Sequence, residues 1–351
     1  MTRNPMTDRF WLHVGPRAPE HTSRLALRTS GLVLEPPKKG PALSKVGDLA
    51  APYILQHRGI RDDDQLSLID AEEKWLMRQD NAAALTSQTV WISQPSDDPV
   101  GDLRGHAAAL EAFTRLARLY DSDRPLLGVV AISSKWLTKR APRTELIGML
   151  QDLSLPIGLM LGNQMDPLNS PRAVEGIIVI SQGVDNLYVL RSDHGALGAY
   201  AYGAMGGSIG LNPTTRHYVP IGDHGWADNS DPTPRVLLPN LMEWWKGSRL
   251  GLYEGDTLFD CKPCPVCMGS SLARFQDETL AVEAEAHNVE SWSRLAEVLF
   301  DTPKEKRPEI WTALCQQADA YLMELEDRLG LLHQPSRQLS AWLRVAGVPA
   351  T

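Results

Sequence analysis

Short apolar runs alternate with polar loops and amphipathic stretches along the first two thirds of the chain. Runs at 66–69, 89–92, 126–132, 157–161, 187–190 and 207–210 have the length and composition of buried strands. Apolar segments at 25–34 and 51–57 read as two further strands, and helical patterns fall at 103–120, 143–153, 173–182 and 196–205. Near-continuous apolar strands separated by helices imply a parallel sheet covered on both faces. The eight strands are the number of a (β/α)8 barrel, so the expected fold is an α/β, TIM-like barrel over 25–245. A doubly wound open sheet is the alternative. Residues 1–24 are polar and read as irregular. The region 246–351 carries helical patterns at 278–299, 307–332 and 338–345, and reads as a metal-binding and helical C-terminal region.

A cysteine cluster changes that picture most. Cys261-Lys-Pro-Cys264-Pro-Val-Cys267 places three thiols with two residues between each and the next, and His287 follows on a helical pattern, next to Asn288. A loop knuckle and one helical imidazole can close a tetrahedral Cys3His site, the donor set that Zn²⁺ favours in structural centres. The bland reading is a set of reduced thiols in a Pro-rich loop. Cys315 is the competing fourth ligand or a disulfide partner, although a Cys on an apolar helix face is usually packed in a core.

Composition sets the compartment and the partners. An apolar content of 43% supports a sizeable core, and four cysteines suit a reducing compartment better than a disulfide framework. No apolar run is long enough to span a membrane and none at the start resembles a signal peptide, so the chain is expected in the cytoplasm. The formal charge is −8, and the longest basic runs are Pro37-Lys-Lys39 and Lys304-Glu-Lys-Arg307. Nucleic acid would therefore be held by a local patch on an acidic body.

In a barrel the chemistry lies at the C-terminal ends of the strands. Those ends carry Asp70, Ser133, Gly162, Asp166, Asp193 and Arg216. Asp70 directly follows an apolar run, where partial desolvation would suit a base. The segment Gly206-Gly-Ser-Ile-Gly-Leu-Asn-Pro-Thr-Thr-Arg-His217 follows the last strand, where barrels often bind phosphate, and Arg216 is shaped for that role. A tight Gly-rich turn with a surface Arg is the plainer reading. Asp193 and His194 are adjacent and diverge on an extended segment, so they are not a dyad. His217 and His224 read as solvated histidines.

A barrel that continues into a Cys knuckle and a later His-Asn resembles the tRNA-guanine transglycosylase superfamily, which includes homologues that place 7-deazaguanines in DNA. The resemblance runs from about Leu66 to Asn288. Asp70 stands where the family has a base-contacting Asp, Ile157-Gly-Leu-Met-Leu-Gly162 resembles its strand under the base, and Pro213-Thr-Thr-Arg216 resembles a Pro-Thr-Arg after the nucleophile. The resemblance implies base exchange or recognition of guanine or 7-deazaguanine in tRNA or DNA, structural zinc on Cys261, Cys264, Cys267 and His287, and a homo- or heterodimer. It points to Asp70 as acid/base, Ser133 and Gly162 lining the base pocket, and Arg216 on phosphate. The family's nucleophilic Asp belongs near 208–210, where this chain has Gly206-Gly-Ser-Ile-Gly210. Asp193 is the candidate for a displaced nucleophile, and a catalytically inactive paralogue that binds nucleic acid or a partner subunit is the alternative.

Overall fold

The apolar runs fold as parallel strands whose side chains are almost all buried. The computed structural model describes residues 5–15, 31–35, 52–57, 68–79, 81–121, 123–163, 165–219, 230–262, 264–330 and 335–347. The chain divides into two compact units, Met1–Gly225 and Trp226–Thr351.

In the first unit the strands are β1 (Phe10–Val14), β2 (Leu32–Leu34), β3 (Tyr53–Leu55), β4 (Leu85–Thr86), β5 (Val90–Ile92), β6 (Leu126–Ser133), β7 (Ile157–Gly162), β8 (Leu187–Ser192) and β9 (Gly206–Gly210). They pair in the order β3-β2-β1-β9-β8-β7-β6-β4, with β5 also on β6. Because β4 pairs with the start of β6 and β5 with its end, the two form one interrupted stave, and nine strands make eight staves. Ala83 N–H donates to Tyr53 O at 2.7 Å and Thr86 Oγ1 to Leu55 O at 2.5 Å, so β3 and β4 nearly close the ring. The result is a nearly closed parallel barrel of the TIM-like kind.

Helices follow the strands: α1 (Leu68–Met77), α2 (Pro99–Tyr120), α3 (Lys135–Thr138), α4 (Arg140–Asp152), α5 (Pro171–Gly183) and α6 (His194–Ala201). Their starts are encoded locally. Asp98 accepts from Gly101 N–H at 3.0 Å ahead of Pro99, and Ser170 from Ala173 N–H at 3.3 Å ahead of Pro171. A side-chain cap followed by Pro at the first helical position satisfies or removes donors that the helix leaves unpaired. Inside the barrel, Trp11, Val33, Ile54, Val129, Met160, Tyr188 and Leu190 pack together.

Two expectations are corrected here. Residues 10–14, read as part of an irregular segment, are the central stave β1, which pairs with both β2 and β9. Its run Phe-Trp-Leu-His-Val interrupts the apolar pattern with a histidine that proves wholly buried. Conversely, Leu68 and Ile69 of the run at 66–69 are not strand. From Leu68 the backbone is helical, with Glu72, Trp75, Leu76 and Gln79 buried at helical spacing. A four-residue apolar run does not distinguish the two structures. The errors offset each other, which is why the stave count agrees.

The second unit starts before the boundary expected at 245. Its antiparallel hairpin, β10 (Arg235–Leu238) and β11 (Glu243–Lys246), leads into α7 (Gly247–Gly251), the Cys-rich turns, and helices α8 (Ala281–Phe300), α9 (Arg307–Leu329) and α10 (Arg337–Val345). Val236, Trp245, Leu250, Phe259, Phe275, Leu322 and Leu325 form its core, and Cys261, Cys264 and Cys267 belong to the same cluster.

Candidate metal centre and polar barrel mouth

Cys261, Cys264, Cys267 and His287 are all buried, and their ligand atoms lie within 4.8 Å of one another. The knuckle folds on itself through its backbone: Met268 N–H donates to Cys264 O at 2.8 Å and Gly269 N–H to Cys261 O at 3.2 Å. Met268 and Gly269 take φ values of +50° and +88°, the left-handed conformation that such a reversal needs. α8 supplies the imidazole, whose Nδ1 lies 3.3 Å from Cys267 Sγ and 3.6 Å from Cys261 Sγ.

The opposite face of His287 is fixed as well. Its Nε2 is 2.8 Å from Leu237 O, so Nε2 donates to that carbonyl and Nδ1 is the nitrogen that faces the thiols. A backbone carbonyl in this position orients a metal-binding histidine. Asn288 completes the seat by accepting from Leu237 N–H at 2.7 Å and donating to Arg235 O at 2.8 Å. The His-Asn pair thus divides the work: one side chain faces the thiols and the next staples α8 to β10. Cys315 lies buried on α9 and is not among the grouped ligands.

Electrostatics fit a cation. The Cys267 thiol is pulled down to about 4, first by its hydrogen bond with Cys261 and further by His287 and Arg274. Cys261, which holds the shared proton, is pushed up. Burial alone would depress His287, but hydrogen bonds to Cys264 and Cys267 raise it to about 9. The quartet therefore gathers negative charge around shared protons, the state that a soft divalent ion displaces. Three thiols and one imidazole form a closed structural set with no open position.

In the first unit a second constellation occupies the C-terminal end of the barrel. Alternation carries His13, Glu35 and Gln56 inward, one level above the apolar layer of Trp11, Val33 and Ile54. Glu35 pairs with the Arg191 guanidinium. Arg191 also donates to His217 O at 2.9 Å and Thr214 O at 2.6 Å, and lies 5.8 Å from the centre of the Tyr218 ring. Ser208 Oγ lies 3.2 Å from His13 Nδ1, and His13 Nε2 is 3.6 Å from Glu35. Burial drives the His13 pKa down, while Glu35 and Arg191 form the ion pair of this network.

At the rim stand three titratable groups. Asp166 is half-buried and its carboxyl is pushed up to about 7, first by desolvation and then by the charge of Asp193. His217 is pushed down by desolvation, against the pull of Asp193. It is half-buried rather than solvated, contrary to expectation; His224 lies outside the described residues. Asp193 itself caps α6 by accepting from Gly195 N–H at 3.1 Å.

The remaining expected residues fall as follows. Ser133 and Gly162 are adjacent partners at the ends of β6 and β7. The space above Gly162 is taken by the Trp91 indole, which a Cβ there would approach to 2.5 Å, and Trp91 stacks on Tyr218 with ring centres 5.2 Å apart. Arg216 is buried, with Nε and Nη2 at 3.4 and 3.5 Å from the carbonyls of Gly210 and Leu211. It is not the surface arginine of the plainer reading. Asp70 lies in the first turn of α1 rather than at a strand end, and its side chain is outside the described residues. His13, Glu35, Gln56 and Arg191 carried one legible signal, a polar residue in or just past an apolar strand. Comparison of the chain with protein-family models, curated proteins and solved structures returned no match.

Proposed function

We propose that this chain is a transglycosylase-like protein. Its second unit holds a structural Zn²⁺ on Cys261, Cys264, Cys267 and His287. Its barrel mouth takes a guanine or 7-deazaguanine nucleoside of tRNA or DNA. The observation that carries the reading is a buried Cys3His quartet in a chain whose preceding unit is a nearly closed parallel barrel of eight staves. Zinc in such a set cross-links the knuckle to α8, and supplies no open coordination position for chemistry.

The rim groups suit base exchange. In this scheme the Asp193 carboxylate attacks the ribose C1′, the C1′–N bond to the outgoing base breaks with its electron pair leaving on the base, and Asp166 delivers a proton to it. The incoming base then returns the electron pair to C1′ and displaces Asp193, giving its proton back to Asp166. A carboxyl near 7 is matched to both directions of that transfer. Asp70 stays a candidate for contact with the base, Ser133 and Gly162 for the pocket wall beside Trp91, and Arg216 for phosphate if its carbonyl contacts open.

A second reading has its own observation. β9 carries Gly206-Gly-Ser-Ile-Gly210 with no carboxylate, and Trp91 fills the space over Gly162. Both suit an inactive paralogue that binds nucleic acid or pairs with an active subunit. The deciding experiment is exchange of labelled guanine or 7-deazaguanine into tRNA and DNA by wild type, Asp193→Asn and Asp166→Asn. Exchange with a trapped covalent adduct, both lost in Asp193→Asn, supports the enzyme. Exchange that survives in Asp193→Asn refutes the nucleophile. No exchange on either nucleic acid, with binding retained, selects the paralogue.

A further inference from the structure

We infer that an extra residue in β8 at Arg191, seated on Ser208, is the device that turns Asp193 into the barrel mouth. The register shows it. Val189 pairs with Gly207 and Ser192 with Ile209, so three steps along β8 match two along β9. That is a β-bulge, with one residue unpaired in the ladder.

The bulge changes which side chains face inward. Tyr188 and Leu190 point into the barrel with its apolar layer. Strict alternation would then send Ser192 inward and both Arg191 and Asp193 outward. Instead Arg191 faces the interior ring of Tyr218 and pairs with Glu35 on the far side of β1. Two consecutive residues, Leu190 and Arg191, thus face inward. Alternation restarted from Arg191 carries Asp193 inward too, where its charge reaches Asp166 and His217. A one-residue slip is enough to exchange the two faces of a strand.

The conformation is costly and is held in place. Arg191 has φ +51°, a region that a non-glycine residue visits only under constraint. Its backbone N–H, which the bulge removes from the ladder, donates to Ser208 Oγ at 2.9 Å. Its side chain is anchored by Glu35, His217 O and Thr214 O. Ser208 is wholly buried and engaged by both Arg191 N and His13, which assigns it to scaffolding rather than attack. Arg191 and Ser208 are positioning residues, and a serine on β9 where the resembled family has its carboxylate acquires a purpose.

This inference rests on Asp193 acting in the mouth, but its test does not require base exchange. The readout is the ¹³C-carboxyl titration of Asp166 in the full chain, with Asp193→Asn as the reference for loss of that charge. In Ser208→Ala and Arg191→Ala the Asp166 midpoint should fall by about one unit, toward the Asp193→Asn value. Arg191→Lys keeps a cation for Glu35 and should hold the midpoint nearer wild type. A merely structural role would lower the melting temperature and leave the midpoint of the folded protein alone. An unshifted Asp166 in folded Ser208→Ala overturns the inference, even if Arg191→Ala does not fold. A shifted midpoint in a protein that exchanges no base supports the bulge and refutes only the enzyme.

Discussion

Asn288→Ala should damage the metal centre without touching a ligand. The side chain is buried, and its two hydrogen bonds staple α8 to the β10 backbone beside the His287 contact with Leu237 O. Truncation leaves Leu237 N–H without its acceptor, and Leu237 is wholly buried, so no water replaces it. A buried donor left unpaired costs about 1–3 kcal/mol. Arg235 is exposed and its carbonyl can recruit solvent, which adds only roughly 0.5–1 kcal/mol. The expected destabilisation is therefore about 1.5–4 kcal/mol. Leu237 O also orients the His287 ring, so loosening β10 should weaken zinc by roughly 10- to 100-fold, the usual effect of losing a group that orients a ligand. Urea unfolding followed by tryptophan fluorescence gives the first quantity, and competition with a chromophoric chelator gives the second. Ser293→Ala, on the same helix where its hydroxyl donates to Val289 O, is the control and should change stability by less than about 0.5 kcal/mol. If Asn288→Ala behaves like that control in both assays, the staple is not what seats His287.

Purified protein should carry one zinc per chain, lost in a Cys264→Ser, His287→Ala double variant by metal analysis. Because His287 is raised to about 9 before metal enters, zinc must displace its proton at neutral pH. Apparent affinity should therefore rise from pH 6 toward about 9, with proton release visible by calorimetry in buffers of different ionisation enthalpy. Asp166 binds its proton more tightly folded than unfolded, so the folded state is favoured below about 4 and loses that advantage as pH rises to about 7. Asp166→Asn should flatten the stability profile over that window in chemical denaturation. Glu35→Gln strands the buried Arg191 guanidinium and should cost about 3–5 kcal/mol in urea unfolding, whereas Glu35→Gln with Arg191→Met should recover much of it.

Features that depend on near neighbours in the chain are legible in the residues alone. The knuckle was legible because Cys261, Cys264 and Cys267 are separated by two residues each and converge through a few backbone hydrogen bonds. His287 could be added because a helix presents a single side chain at a known place. The staves from 126 to 210 were legible because their apolar runs recur between amphipathic helical stretches. At 10–14 a histidine interrupts the apolar run and at 66–69 a four-residue run fits helix and strand alike, so tertiary pairing decided the first and helical packing the second.

Tertiary structure alone decided the barrel mouth. His13 meets Ser208 across 195 positions and Glu35 meets Arg191 across 156, and no local spacing announces either contact. Burial is what makes these residues partners: a charge or imidazole inside the barrel must find its complement there, while the same residue in a loop need not. The direction of Asp193 was hidden for a related reason. Period-two alternation read along β8 alone points it outward, and only pairing with β9 shows the extra residue at Arg191 that points it in. A bulge is a property of two strands, so neither strand's sequence contains it.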